Sequence, residues 1–223
     1  TFGIIREADV RAENVSRSSE RGVRFFLRMG KLKRPVGLAA FGRHNVYNAL
    51  AAATLAAILE VDVDRIVAGL EKFQPFPGRG KVIALRRKVR ILDDSYNANP
   101  DSLEATLSAF AEMKGKNRGL LVLGDMLELG PGSEEAHKKA GERIGGIKRA
   151  HLFLLGEQAG HLAEGARAAG MEAQNVRVLR NHQEALDGLG KMLKEGDWIL
   201  VKGSRRMHME RIIEGLVESL GRA

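Results

Sequence analysis

The sequence predicts an α/β protein: a doubly wound, mostly parallel sheet in the C-terminal part of the chain, preceded by a smaller strand-plus-helix segment. Three observations predict it. After Lys81, short apolar runs alternate repeatedly with helical patterns. Just before, Phe73-Gln-Pro-Phe-Pro-Gly-Arg-Gly-Lys81 gathers two prolines and two glycines, which breaks both periodicities and marks a hinge or linker. Residues 91–102, Ile-Leu-Asp-Asp-Ser-Tyr-Asn-Ala-Asn-Pro-Asp-Ser, place two carboxylates, Asp93 and Asp94, where an apolar run stops. A helix start, Asn99-Pro100, follows; Asn is a good N-cap and Pro fits the first helical position. In open α/β sheets ligands bind beyond the carboxyl ends of the strands, and helix N-termini favour anions. The same residues also fit an ordinary β-to-α turn rich in turn formers.

In chain order, residues 1–40 read as short strands, with apolar cores at 25–27 and 36–40 and a turn at 30–35. The chain begins almost inside a strand, which reads as the middle of a longer polypeptide. Gly42-Arg-His-Asn-Val-Tyr-Asn48 opens an alanine-rich helix running to about Leu59. His44, Asn45 and Asn48 share a face of its first turns. An amide can donate to adenine N7 and accept from its N6 amino group, so this face suits an adenine reader. It suits helix capping beside a surface histidine as well. Residues 61–72 form a second helix, beginning near Asp62 or Asp64.

Beyond the hinge, residues 82–85 and 89–92 pair as a hairpin, and a helix starts at Asp101. Strands are expected at 119–123, 151–155, 176–179 and 198–201. Helices are expected from Ser133, as cap, to Ile144, and over 158–168, 183–193 and 207–220. Right-handed crossovers put the loops after Leu92, Leu123, Leu155 and Val201 on one edge. Three of those loops carry polar clusters: Asp93/Asp94, Asp125/Glu128 and Lys202/Ser204/Arg205. Asp125 and Glu128 suit a cation or a capped turn, and His137 reads as an exposed or capping residue. Lys202 and Arg205 suit a carboxylate or phosphate, or a plain glycine turn.

Composition narrows the function. The 223 residues are 44% hydrophobic and 29% charged, enough for a sizeable core. With no cysteine there is no disulfide, thiolate metal site or thiol nucleophile. No apolar run approaches a membrane span, so no membrane insertion is expected. The start, Thr-Phe-Gly-Ile-Ile-Arg, is not a signal peptide. A net charge of +8 favours a polyanionic or phosphorylated partner, whereas 5% aromatic content argues against stacking on single strands, and no nucleic acid is expected. The spacing Gly-x-x-x-x-Gly-Lys-Ser/Thr is absent, as are Gly-x-Gly-x-x-Gly after a strand and His-x-x-x-His, so no metal site is assigned to this chain.

Taken together and in this order, five stretches resemble the Mur ligase family. They are Gly42-x-His-Asn-x-x-Asn48, Pro77-Gly-Arg79, Asp93-Asp-Ser-Tyr-Asn-Ala-Asn-Pro100, Leu123-Gly-Asp-Met-Leu-Glu-Leu-Gly130 and Val201-Lys-Gly-Ser-Arg205. The resemblance runs from about Ala8 to the C-terminus and is weakest before Val36. It implies an ATP-dependent amide ligase of cytoplasmic peptidoglycan synthesis. The two long motifs resemble those of members that join D-alanyl-D-alanine to a UDP-N-acetylmuramoyl-tripeptide, so these two molecules are the implied partners. It implies that residues 1–76 are the C-terminal part of a P-loop-type central ATP-binding domain without its P-loop. Residues 77–223 are then a Rossmann-like C-terminal ligase domain. ATP is the implied cofactor with Mg2+, whose ligands are expected upstream, together with the lysine that the family carbamylates. No catalytic residue is assigned within this chain, which is expected to be a monomer and inactive alone.

In the family's reaction ATP phosphorylates a carboxylate, an amine attacks the acyl phosphate, and a tetrahedral intermediate gives an amide and phosphate; cations and N–H donors stabilise the charge. Carried over by position, Asn45, with His44 and Asn48, resembles the adenine contacts. Arg79 resembles the hinge arginine that reaches ATP phosphates, and Asp94 the carboxylate that accepts from the ribose hydroxyls. Tyr96, Asn97 and Asn99 line the substrate side, and Lys202, Ser204 and Arg205 meet the incoming dipeptide. Arg206 stands where the family pattern suggests a smaller residue. Two alternatives stand beside this reading: a sister ligase with another amino acid substrate, similar to folylpolyglutamate synthase, and a stand-alone basic nucleotide- or nucleic-acid-binding module.

Overall fold

Side-chain alternation shapes the first part of the computed structural model, which describes residues 1–223. β1 (Phe2–Gly3), β2 (Val10–Glu13), β3 (Val23–Met29) and β4 (Leu32–Leu38) form a four-stranded sheet in that order. The first pair is parallel and the others antiparallel. Val23, Phe25 and Leu27 are buried while Arg24, Phe26 and Arg28 face outward, the period of two of a half-buried strand. The β3–β4 turn is shorter than expected from 30–35: only Gly30, at φ 57°, and Lys31 separate the strands. Pro35 lies within β4 opposite Phe26. β4 is an edge strand, where a residue without an N–H is tolerated. α1 (Arg43–Ile58) and α2 (Val63–Lys72) follow. Asp62 caps α2, its carboxylate accepting from the Asp64 N–H at 2.9 Å. Val46, Leu50 and Ile66 from these helices join Phe25, Leu27 and Val36 in one core.

The chain separates by contacts into two units, Thr1–Pro75 and Phe76–Ala223. The second contains β5 (Lys81–Ala84), β6 (Arg90–Asp94), α3 (Pro100–Lys114), β7 (Gly119–Gly124), α4 (Ser133–Gly145) and β8 (Ala150–Leu155). It continues with α5 (Ala159–Ala168), β9 (Val176–Leu179), α6 (His182–Met192), β10 (Trp198–Lys202) and α7 (Glu210–Leu220). The sheet order is β5-β6-β10-β7-β8-β9. β5 runs antiparallel to β6; every other pair is parallel. β7 and β10 are buried along their whole length, as strands covered on both faces must be. Ile91, Val122, Phe153 and Val201 pack with Leu189 of α6 and Ile212 and Leu216 of α7. The alternate residues Leu92, Leu121, Leu152 and Leu200 are equally buried and face the other way. On that side Phe110 of α3 meets Trp198 edge-on, with ring centroids 6.5 Å apart.

α4 and α5 touch through glycines. A Cβ on Gly141 would come 2.1 Å from the Leu162 carbonyl oxygen, and one on Gly165 would come 2.0 Å from that of Lys138. Two helix starts differ from expectation. Ser133 is the first helical residue of α4 rather than its cap, and Gly132 precedes it without a side-chain cap. α7 begins at Glu210, not Met207, because a 3-10 turn over Arg205–Met207 and a left-handed His208 (φ 49°) come first.

Candidate functional site

Sheet register brings the polar clusters of the second unit together. Lys202 lies opposite Asp94 on one side and Leu123 on the other, and Gly124 lies opposite Leu155. The loops after β6, β7, β8 and β10 therefore leave from one edge, as expected. Neighbouring residues of an extended strand project to opposite faces, so Asp93 and Asp94 do different work.

Asp93 is buried and organises backbone. Its Oδ2 accepts from the Gly78 N–H at 2.8 Å, and its Oδ1 accepts from the Ser95 hydroxyl at 2.7 Å. Its carbonyl accepts from the Gly80 N–H, and the Gly78 carbonyl accepts from the Tyr96 N–H. Gly78 sits at φ 78°, and a Cβ there would lie 3.1 Å from that of Tyr96. The segment carrying Arg79 is thus fastened onto the Asp94–Asn99 loop. Asp94 takes two bonds on Oδ2, from Lys202 Nζ at 2.5 Å and from the Thr106 hydroxyl at 2.7 Å. Lys202 is 2% exposed and also donates to the Asn97 carbonyl at 3.0 Å. Its ammonium is committed to the chain itself, which departs from the expectation of a cation open to a dipeptide carboxylate. Ser204, expected at the substrate, is buried too. Its hydroxyl donates to the Ala98 carbonyl at 3.3 Å and accepts from the Leu127 N–H at 2.8 Å, while its own N–H donates to the Asp125 carbonyl. One serine therefore joins three of the edge loops.

Asn99 is spent on capping: its side-chain oxygen accepts from the Ser102 N–H at 2.8 Å, and the Ser102 hydroxyl lies 3.1 Å from the Asn99 N–H. This reciprocal pair is the capping box that opens α3. Tyr96, Asn97, Arg79 and Arg205 are exposed. The guanidinium carbons of Arg79 and Arg205 lie 4.0 Å and 5.6 Å from the Tyr96 ring centroid. Arg205 also pairs with Glu210 at 3.2 Å. Arg206 is exposed in its 3-10 turn, 3.7 Å from Glu128, and its backbone has no positive φ.

Two buried residues hold the loop after β7, Asp125 within it and His137 on α4; Asp125 takes the turn-capping role, one of the two that the sequence offered. His137, expected exposed or capping, is fully buried. Its Nε2 accepts from the Met126 N–H at 2.9 Å, and its Nδ1 lies 2.7 Å from the Ser133 carbonyl. Those partners require the neutral ring with its proton on Nδ1. Asp125 is buried and accepts from the Glu157 N–H at 2.8 Å and the Gln158 N–H at 3.2 Å, fixing the turn before α5. Gly156 passes so close, at φ 117°, that a Cβ would fall 2.3 Å from that carboxylate. Burial pushes the Asp125 carboxyl above its ordinary value of 3.8, against the opposing pull of the Gln158 and Glu157 N–H groups. The folded chain then holds this proton more tightly than the unfolded one. Its contribution to stability is complete below 3.8 and is lost as pH rises through the folded-state value. Asp125→Asn cannot ionise. The stability of the parent chain relative to this variant is expected to fall as pH rises above 3.8 and then to level off. Urea midpoints across that range check it; a constant difference contradicts it.

In the first unit, Asn45 Nδ2 donates to the Phe41 carbonyl at 2.9 Å and lies 3.0 Å from His44 Nε2. Asn48 Nδ2 donates to Asn45 Oδ1 at 3.3 Å. The two asparagines border a largely apolar cavity of about 520 Å3 between α1 and α2, lined also by Ala49, Ala53, Ile66 and Phe73. Neither caps α1, whose N-cap is Gly42 with no side-chain bond. In the second unit, the exposed Arg79 and Arg205 suit an anionic group. No three His, Asp or Glu side chains gather as a metal site.

The model of the family described as "Mur ligase, glutamate ligase domain" matches residues 78–205, more than half of the chain. The chain belongs to the Mur ligase family. As a Mur ligase chain it is similar to the UDP-N-acetylmuramoyl-tripeptide–D-alanyl-D-alanine ligases of Escherichia coli strain K12 and Bacillus subtilis strain 168. Identity with the first is 36% over 214 residues, covering 95% of this chain and 45% of the relative. With the second it is 32% over 219 residues, covering 98% and 47%. The chain spans about half the length of the curated relatives it matches. Among solved structures, MurF from Acinetobacter baumannii superposes with a TM-score of 0.85 at 30% identity, over 97% of this chain and 46% of that one. MurF ligase from Thermotoga maritima, solved in complex with ADP, shares the fold with a TM-score of 0.80 at 22% identity, over 97% and 48%.

The Mur ligase edge also shows what the sequence hid. Asp93, Ser95, Thr106 and His137 hold the loops, yet none sits in a pattern that separates a fastening residue from a contacting one. Strand parity was the only available signal, dividing Asp93 from Asp94.

Proposed function

We propose that this chain serves an ATP-dependent amide ligase that adds D-alanyl-D-alanine to a UDP-N-acetylmuramoyl-tripeptide through an acyl phosphate. The observation that carries the reading is the single sheet edge on which Arg79, Asp94, Tyr96 and Arg205 converge through register and loop fastening. The names of the relatives supply the substrate class. In this reading residues 1–76 complete an ATP-binding domain and residues 77–223 form the ligase domain. Arg79 offers a planar, permanently charged fork to phosphate oxygens, and Arg205 offers the same to a phosphate or carboxylate. Asp94, held by Lys202 and Thr106 through Oδ2, accepts from the ribose hydroxyls with its other oxygen. Lys202 acts by orienting Asp94 rather than by touching the dipeptide, and Ser204 and Asn99 act by shaping their loops. Tyr96 and Asn97 face substrate, and His44, Asn45 and Asn48 attend the adenine. ATP with Mg2+ supplies the phosphoryl group and the charge that balances it; the Mg2+ ligands belong to other parts of the enzyme. The enzyme acts in the cytoplasm as a monomer. No helix is long and apolar enough to cross a membrane.

Turnover tests this. The complete ligase that includes this chain is expected to release phosphate from ATP with the tripeptide nucleotide and D-alanyl-D-alanine. Single amino acids should be used at least about a hundredfold less well, since a site built for polar groups is left with unpaired ones. Equal use of a single amino acid such as glutamate would overturn the dipeptide assignment.

A further inference from the structure

Tyr96 stands out because it gathers two like charges. Two guanidinium groups repel each other, and surface arginines normally spread into solvent. Here Arg79 and Arg205, distant in sequence, both lie over one tyrosine ring, at 4.0 Å and 5.6 Å from its centroid. Their charged carbons are therefore no farther apart than the sum of those distances. Tyr96 is 42% exposed, so the ring meets solvent as well as the arginines. Its backbone is pinned from both sides: its N–H donates to the Gly78 carbonyl at 2.9 Å, and Lys202 holds the next carbonyl, that of Asn97. The ring face carries partial negative charge, which offsets the repulsion and sets both cations at fixed range.

We propose that Tyr96 is a positioning residue that assembles Arg79 and Arg205 into one clip for a single oxyanion-bearing group, a phosphoryl or a carboxylate. The proposal rests on the ligase reading for which group arrives, and on the geometry alone for the clip. Glu210, paired with Arg205 at 3.2 Å and with His208 at 3.4 Å, occupies one side of that guanidinium. An arriving anion engages the remaining N–H donors. Arginine carries five donors, so one carboxylate partner does not exhaust it. The tyrosine hydroxyl makes no hydrogen bond within the chain, so the ring rather than the oxygen does the positioning.

The test follows the Nε–Hε signals of Arg79 and Arg205 by NMR in the whole chain, each assigned with its Arg→Lys variant. Inorganic pyrophosphate and D-alanyl-D-alanine are titrated separately. Both signals are expected to follow one saturation curve with at least one probe, and the probe that does so identifies the source of the oxyanion. Tyr96→Phe, which keeps the ring, should leave that curve in place. Tyr96→Leu should weaken binding about fivefold, the loss of two exposed cation–π contacts, and separate the two curves. The proposal is overturned if Tyr96→Leu titrates like the parent chain, if only one arginine responds, or if neither probe moves both. Tyr96 is exposed, and an unchanged backbone spectrum identifies a folded variant; if Tyr96→Leu unfolds, Tyr96→Met provides the same arm. The titration involves no turnover, so a failure of the ligase reading in the phosphate-release assay leaves the clip standing, and the reverse also holds.

Discussion

Asp94→Ala is expected to cost the second unit about 3 kcal/mol of stability, because it strands a buried ammonium. Lys202 has a side chain only 3% exposed and keeps one other partner, the Asn97 carbonyl at 3.0 Å. Coulomb attraction to Asp94 and the bond at 2.5 Å offset the desolvation of that ammonium in the parent chain. Removing the carboxylate leaves the desolvation in place. The chain's one tryptophan, Trp198, lies on the same strand as Lys202, so urea unfolding followed by its fluorescence reports the right region. Lys202→Met alone leaves Asp94 with Thr106 and partial solvent access, so its cost should be smaller. The double variant should recover part of the loss, with a coupling of about 2 kcal/mol in the mutant cycle. Additive costs would mean that the pair is no more than a surface contact.

Gly165→Ala is the second large effect. The added methyl would sit 2.0 Å from the Lys138 carbonyl oxygen, 2.9 Å from its carbon and 3.0 Å from the Glu142 amide nitrogen. All three are backbone atoms of α4, so no side-chain rotation relieves the clash. The helices must part, and a loss of about 3 kcal/mol is expected, at the upper end for overpacking. Helix propensity alone would predict the opposite, since alanine in a helix interior is better than glycine by about 1 kcal/mol. The sign of the change in thermal midpoint therefore decides between close helix contact and intrinsic propensity.

Much of the fold was legible because its elements carry their own signals. The Asn99-Pro100 start is a local device, and the capping box appeared where those residues predicted it. The β/α alternation after Lys81 and the shared loop edge follow from period and handedness, which a single sequence contains. Pro35 misled because a proline reads as a turn, whereas an edge strand accepts it. Ser133 misled for a similar reason: serine before a helix reads as a cap, but here the backbone enters the helix one residue earlier. His137, Lys202 and Ser204 were harder still. Their burial is set by partners up to 108 residues away in sequence, and no local pattern encodes that. The resemblance between sequences marked which positions matter without saying which of them touch a ligand and which hold another residue still.

The Ser204 stitch has a thermodynamic consequence. A serine that ties together the loops following three different strands restricts their independent motion before any ligand arrives. Ordering flexible segments is one of the main costs of association, and bonds made on folding meet part of that cost in advance. Association at this edge should therefore show a small ordering penalty, with affinity governed by charge and shape.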